Sequence, residues 1–278
     1  MPDASETLGF IGLGNIGGPM AMRMAEVSKA AIVYDAVPAA MTRFEGHAEI
    51  AANPAEVGRK ATIVGICVRD DADVEAVVCG PDGLLEGMAP GGTILVHSTV
   101  GLDTIRRLNA LAAEKGIDLL DAGVTGGAVR AAEGRLVTMI GGSDEAFKRG
   151  EKLAKTFSHV VVHGGPLGTG ITLKICNNVL TYSMAMSANE AFGLVESAGI
   201  SPDVLRQVFR GNGTWNEFLD VYTTSREGRG SLASFEHARK LAHKDLLHAM
   251  DLARETGWAA KGIAAVDELL PVFFADRK

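Results

Sequence analysis

Short apolar runs alternate with longer stretches of helical period along the first part of the chain, and near residue 165 that alternation stops. Runs rich in β-branched and aliphatic residues at 8–12, 31–34, 62–68, 93–97, 117–121, 136–140 and 159–162 predict strands, with helical patterns between them. One of these helices, 70–78, opens on Asp70, suited to capping, and closes at Cys79-Gly80-Pro81. Strands spaced by helices predict βαβ units and a mostly parallel, doubly wound sheet. Beyond the cluster Gly164-Gly165-Pro166-Leu167-Gly168-Thr169-Gly170 no strand pattern recurs. There a segment apolar around most of its circumference, 171–198, predicts a helix buried on several sides. At the helical rise it spans about 40 Å, enough to link two domains and enter a partner subunit. Further helices are expected over 202–209, 216–222, 235–255 and 259–274. The expected architecture is α/β, with a doubly wound domain over 1–165 and an all-helical domain over 166–278.

The 278 residues suit two domains, and 47% hydrophobic with 22% charged residues argues against disorder. A formal net charge of −7 leaves no broad basic field, so nucleic acid is not an expected partner and a small molecule is. Cys67, Cys79 and Cys176 are scattered, without the paired spacing of a zinc site or a disulfide framework, which suits a reducing compartment. Neither a basic-then-apolar leader nor a run of about 18 apolar residues is found, so a soluble, cytoplasmic protein without membrane attachment is expected. No metal site is expected. His159 and His163 stand near the end of a predicted strand, where that spacing is about 13 Å, and His243 and His248 fall on different faces of a helix.

Gly12, Gly14 and Gly17 stand as G-x-G-x-x-G between the first predicted strand and helix, enclosing Asn15 and Ile16. In that context the first glycine permits the tight turn, the second leaves room for a pyrophosphate, and the third lets the helix pack on the strand. The start of the following helix then favours the diphosphate charge. The alternative, an ordinary glycine turn, loses ground to Asp35, which ends the second strand 18 residues beyond Gly17. An acid there hydrogen-bonds the adenosine ribose and repels a 2′-phosphate, which points to NAD rather than NADP in a Rossmann-type domain. Asp35 as the start of the turn before Pro38 is the competing reading.

Two further segments carry polar groups. In Asp121-Ala122-Gly123-Val124-Thr125-Gly126-Gly127 a strand is expected to run into consecutive unshielded N–H groups, able to hold a carboxylate, or else to form a plain flexible loop. In the second, Lys174 and Asn178 are four apart and share one face of the long helix. Lys174 is expected in the first turn, where the helix dipole and partial burial would lower its pKa from about 10.4 and tune it for proton transfer. A lone lysine at a helix start is more often a snorkelling surface group, but this helix is strongly apolar, and Asn177 and Asn178 need partners if buried.

Four segments together resemble the β-hydroxyacid dehydrogenase family, which includes 3-hydroxyisobutyrate dehydrogenase, tartronate semialdehyde reductase and 6-phosphogluconate dehydrogenase. They are 10–20, 121–142, 168–178 and Lys244-Asp245-Leu246. The resemblance implies that Lys174 is the catalytic acid/base, that Asn178 orients substrate, and that Thr125, Gly126 and Gly127 hold the substrate carboxylate. It implies that Thr99 and Lys244 contact the cofactor, and that helical domains pack together in homodimers or homotetramers. The chain departs from the family pattern with Thr125 for serine, Gly123 for proline, and Ile16 and Arg23 for methionine and asparagine. His237, near Phe235, stands where an aromatic is usual, and the usual tail is absent. These departures bear on the substrate, not on the reaction type.

The implied function is reversible oxidation of a short 3-hydroxy acid to its semialdehyde. Trp215 and Phe218 are candidates to close the substrate pocket, although aromatics at helical spacing are more often core. Two alternatives are weighed: an NADPH-dependent imine reductase, against which Lys174 and Asp35 both argue, and a non-catalytic nucleotide-binding interaction protein, against which the intact Lys174–Asn178 pair argues.

Overall fold

The computed structural model describes residues 6–28, 30–226 and 235–273. The chain divides into two compact units, Met1–Lys174 and Ile175–Lys278, so the division falls inside the long helix rather than before it. The strands are β1 (Leu8–Ile11), β2 (Ile32–Tyr34), β3 (Glu49–Ile50), β4 (Ile63–Ile66), β5 (Thr93–Val96), β6 (Asp118–Thr125), β7 (Leu136–Gly141) and β8 (Ser158–Gly165). Helices α1 (Gly17–Val27), α2 (Pro38–Met41), α3 (Pro54–Lys60), α4 (Asp71–Cys79), α5 (Leu84–Gly87), α6 (Leu102–Ala113), α7 (Gly127–Ala132) and α8 (Asp144–Ala154) lie between them. Helix α9 (Thr169–Ser197) runs on into the second unit, which also holds α10 (Pro202–Gly211), α11 (Glu217–Arg226), α12 (Phe235–Thr256) and α13 (Lys261–Phe273). Among the described residues, every element after β8 is a helix. Phe274 and the side chains of Phe235 and His237 lie outside the described residues.

The eight strands form one sheet in the order β3-β2-β1-β4-β5-β6-β7-β8. All neighbours are parallel except β6 and β7, which pair from Asp121 with Gly141 to Thr125 with Val137. The chain moves outward from β1 to β3 and then crosses back to β4, so the order reverses between β1 and β4. A crevice outside the carboxyl ends of the strands at such a point is the usual ligand site of an open α/β sheet. Strands β1, β4 and β5 are buried at every position, as expected for parallel strands covered on both faces. Leu8 and Phe10 of β1 belong to one cluster with Met20 and Met24 of α1, and with Leu120, Ile140 and Phe157 farther along the sheet.

Local signals set the helix starts. Asn53, Asp70, Ser143 and Ser201 each accept a backbone N–H as caps, and Pro54 and Pro202 occupy first-turn positions. The strand β6 departs from expectation. It does not stop at Asp121 but continues to Thr125, because its second half exchanges the parallel partner β5 for the antiparallel partner β7. Gly123 therefore lies in a strand, and the turn begins at Gly126 and Gly127, with φ of 130° and 76°.

Helix α9 also differs from expectation. Ile175, Ala188 and Phe192 are buried, but Leu180 and Leu194 remain 61% and 73% exposed. The helix has apolar residues on more sides than the described residues cover. Among the described residues no helix is long and apolar enough to cross a membrane.

Candidate active site

The glycine turn follows β1 at the point where the strand order reverses. Gly12 has φ 91°, and a Cβ on it would stand 2.7 Å from the Cys67 carbonyl carbon, so only glycine fits. A Cβ on Gly17 would meet the Cys67 side chain at 3.1 Å, whereas one on Gly14 would have nothing within 4 Å. Gly14 and Asn15 are exposed and Ile16 half-buried. Helix α1 starts with no side-chain cap and no acidic residue in its first turn. An anion can thus approach its N–H groups, and the turn fits the diphosphate of a dinucleotide.

Asp35 is built into the same turn. Its Oδ2 accepts the Leu13 N–H at 2.6 Å and its Oδ1 accepts the Val37 N–H at 2.7 Å. Each carboxylate oxygen has a second lone pair open to a ribose hydroxyl. Arg43, which the sequence reading passed over, donates to the Leu13 carbonyl, with its guanidinium beside Gly18. A further tie joins the ends of β4 and β5: Ser98 Oγ accepts the Val68 N–H at 2.8 Å and donates to the Val68 carbonyl at 2.9 Å. Thr99 follows it, half-buried.

Strand β6 is parallel to β5, so its end lies on the same side of the sheet as the glycine turn. Thr125 is half-buried there, and Gly126 and Gly127 are exposed. Lys174 is held in the same unit, half-buried, against β6: a Cβ on Gly123 would stand 2.6 Å from Lys174 Cβ. Cys67 senses the same lysine, although burial dominates and pushes its thiol up to about 12, with the Lys174 charge acting in the opposite direction.

The start of α9 is not the bare positive end that the sequence suggests. The helix begins at Thr169, which puts Lys174 in the second turn, and a buried carboxylate occupies the first. Asp121, with no exposed surface, accepts the Gly168 N–H on Oδ1 and the Ile171 N–H on Oδ2, each at 2.7 Å. Burial raises the Asp121 pKa, and the helix N–H groups act against that rise.

In the second unit, Asn178 is buried and its Nδ2 donates to Asp245 Oδ2 at 2.7 Å. Tyr182 donates its hydroxyl to the same oxygen at 3.2 Å, and Lys244 Nζ lies 3.4 Å from Asp245 Oδ1. Burial pushes the Tyr182 phenol up, and the Asp245 charge adds to it. Asp245 was legible only as the neighbour of Lys244; nothing along the chain points to its bond with Asn178. Asn177 donates to Asn178 Oδ1 at 3.1 Å. Trp215 packs with Phe218 against a cluster around Phe192 and Tyr222, donates to Asp220 at 2.8 Å and lies under Arg210. Of the histidines singled out along the chain, His159 bonds the Leu136 carbonyl, His163 the Gly142 carbonyl, and His243 the Asp267 carboxylate.

Residues 7–165 match the family model described as the NAD binding domain of 6-phosphogluconate dehydrogenase. Residues 168–277 match that described as the NAD-binding domain of NADP-dependent 3-hydroxyisobutyrate dehydrogenase. The chain belongs to the β-hydroxyacid dehydrogenase family. This β-hydroxyacid dehydrogenase is 33% identical to a probable mitochondrial 3-hydroxyisobutyrate dehydrogenase of Dictyostelium discoideum, over 91% of its own length and 81% of the relative's. It is also 33% identical to an NAD-dependent L-serine dehydrogenase of Pseudomonas aeruginosa, over 77% and 72%. Among solved structures it is similar to a 3-hydroxyisobutyrate dehydrogenase of Mycobacterium tuberculosis with L-serine, at TM-score 0.85 and 26% identity, covering 98% of this chain and 94% of that one. Its relatives are oxidoreductases of small hydroxy acids, and its first unit is the nucleotide-binding domain of an NAD(P)-dependent dehydrogenase.

Proposed function

We propose that the chain is an NAD-dependent dehydrogenase that reversibly oxidises a short 3-hydroxy acid to its semialdehyde, with Lys174 as acid and base. The observation that carries this reading is the seat of Lys174. It rests on β6 at Gly123, two residues before Thr125, at the end of the sheet that bears the glycine turn. When bound there, the cofactor supplies a nicotinamide that accepts hydride from the carbon bearing the hydroxyl.

Lys174 takes the hydroxyl proton in oxidation and returns it to the developing alkoxide in reduction. The Thr125 hydroxyl and the N–H groups of Gly126 and Gly127 hold the substrate carboxylate, since consecutive N–H groups in such a turn make an anion-binding concavity. Asn178, its amide fixed by Asp245, orients the substrate, and Thr99 and Lys244 contact the cofactor. Trp215, whose ring lies under Arg210 and whose Nε1 donates to Asp220, remains the candidate to close the pocket. Residues 1–165 bind the cofactor and also carry the Thr125 to Gly127 carboxylate turn, and 166–278 serve substrate orientation and assembly, with Lys244 contributing to the cofactor site.

The names of the relatives narrow the substrate class. 3-Hydroxyisobutyrate and L-serine share a 3-hydroxypropanoate skeleton and differ at C2, where one carries a methyl and the other an ammonium group. The carboxylate and the 3-hydroxyl are the shared handles, and the C2 substituent is where relatives would be told apart. Asp35 supports NAD, since a 2′-phosphate would meet its carboxylate. The exposed Leu180 and Leu194 of α9 support assembly into a homodimer or homotetramer, which sedimentation velocity would report; a monomer at micromolar concentration refutes that part.

The test of the reaction is a panel of C2-substituted 3-hydroxy acids, and of other hydroxy acids, run with NAD and NADP. Activity is expected in the first group and with NAD. In Lys174→Ala turnover should fall by about 10²- to 10⁴-fold while NADH binding is retained. Near-normal turnover of that variant refutes the acid/base role.

A further inference from the structure

We propose that Asp121 is the positioning residue for Lys174: by holding the first turn of α9 on β6 through both carboxylate oxygens, it sets where the lysine amine meets the substrate. The proposal rests on the acid/base reading of Lys174. Asp121 sits where β6 passes from its parallel to its antiparallel partner, pairing with Val96 on one side and Gly141 on the other. Its two bonds go to Gly168, immediately before the helix, and to Ile171, three residues into the chain beyond it. A single bond would leave the helix free to roll about it, whereas two bonds to N–H groups at different heights fix both roll and rise. Lys174 follows Ile171 at the i, i+3 spacing, on the same side of the helix.

Glycines let the helix approach the sheet closely at three places. A Cβ on Gly123 would stand 2.6 Å from Lys174 Cβ, one on Gly141 2.9 Å from the Gly170 N–H nitrogen, and one on Gly170 2.7 Å from the Asp121 carbonyl oxygen. Three glycines, one each on β6, β7 and α9, thus let the backbones meet, and Asp121 is the polar clasp at their centre. A cap needed only for helix stability does not call for this arrangement. The caps Asn53, Asp70, Ser143 and Ser201 each accept one helix N–H, three of them are neutral and Asp70 is only half-buried, and full burial of a carboxylate carries a desolvation penalty that they avoid. What the buried, two-oxygen cap adds is orientation of the turn that leads to Lys174.

The test is a double-mutant cycle on the full-length enzyme with its best substrate, measuring kcat, KM for NAD and thermal unfolding. Asp121→Asn keeps the shape but turns an N–H donor toward one of the two N–H groups. It should lower kcat by about 10- to 100-fold with KM for NAD within about twofold of the parent. Placed in Lys174→Ala, the same change should cost nothing further, because the group it positions is gone. Ser143→Ala, which removes the ordinary cap of α8, should lower the unfolding temperature and leave kcat unchanged. If Asp121→Asn does not fold, Asp121→Thr, with one acceptor oxygen and good strand preference, is expected to give the same kcat loss.

A folded Asp121 variant with unchanged kcat overturns the proposal. So does a loss equally large in the Lys174→Ala background, or one carried by KM for NAD. Near-normal turnover of Lys174→Ala by itself is a different result: it removes the acid/base reading and this proposal with it.

Discussion

His97 makes the stability of the first unit sensitive to mild acid, by an amount that follows from its surroundings. It lies just after β5, 3% exposed, with its ring stacked on Phe10 and edge-on to Phe157. Its Nδ1 bonds the Ala122 carbonyl at 2.7 Å, and a carbonyl only accepts, so Nδ1 carries the proton of the neutral ring. Among the described residues Nε2 is buried without a partner, and protonating it would create an N–H that none of them receives. Burial accordingly pushes the pKa from 6.5 down to about 4, with the Ala122 bond acting the other way. The folded value lies below the unfolded one, so the stabilising contribution is complete above pH 6.5 and is lost as pH falls toward 4. By pH 5 that amounts to about 2 kcal/mol, or roughly 6 °C in unfolding temperature for a unit of this size. Asp121 has the opposite sign: its raised pKa means that its burial cost is relieved as pH falls. His97→Asn offers Nδ2 to the same carbonyl and does not titrate, and Asp121 is common to both proteins, so the difference between them isolates His97. Calorimetry at pH 7 and pH 5 is the assay, because both tryptophans, Trp215 and Trp258, lie in the other unit and their fluorescence would follow it instead. The Asn variant should be less stable at pH 7, from lost packing, and that deficit should shrink by about 2 kcal/mol at pH 5. Equal falls in the two proteins between pH 7 and pH 5 would refute the reasoning.

Three further predictions concern single contacts. Asp35→Ser removes the carboxylate opposed to a 2′-phosphate and should move the NADP-to-NAD ratio of kcat/KM toward NADP by on the order of tenfold or more, given about 1 to 4 kcal/mol of repulsion at contact; an unchanged ratio places discrimination elsewhere. Gly126→Ala puts a side chain at φ 130°, with its Cβ 3.0 Å from Leu136, and should lower stability by about 1–3 kcal/mol, read from urea unfolding, and raise KM for the hydroxy acid. Asp245→Ala strips the acceptor from Asn178 and Tyr182 together and should destabilise the second unit by about 2–4 kcal/mol, read by tryptophan fluorescence, with a fall in kcat.

Where side chains follow the period of their own element, the sequence is transparent. The apolar runs at β1, β4 and β5 lie within their predicted strands, and Asp70 caps α4 where the cap was expected. Helix ends shift by a residue or two, as capping and fraying allow, except that α11 runs four residues past its expected end to Arg226. Features that depend on a distant partner were hidden. Strand β3 is two exposed residues, too short to show a period, and exists because β2 offers it an edge. The stretch from Ala122 to Thr125 reads as a glycine turn, yet it is strand because β7 arrives from beyond α7 to pair with it. Asp121 lies 47 residues before Gly168, and Asn178 lies 67 before Asp245, so neither bond leaves a local trace.

The same distinction explains why the motif glycines carry different amounts of information. Gly12 and Gly17 answer to the backbone beside Cys67, and their spacing within one turn makes them legible as a unit. Gly123, Gly141 and Gly170 answer to one another across three elements, and no spacing rule joins them. Under the proposed role of Lys174, Gly123 nonetheless bears most directly on the chemistry, since the absence of its Cβ lets Lys174 reach the strand that ends at Thr125. In this chain any side chain at this position would force Lys174 or the strand to shift. Under the proposed acid/base role of Lys174, the departure at residue 123 changes how that group is seated, and the substrate, whose hydroxyl must meet it, is where this chain is expected to differ from relatives that carry the proline.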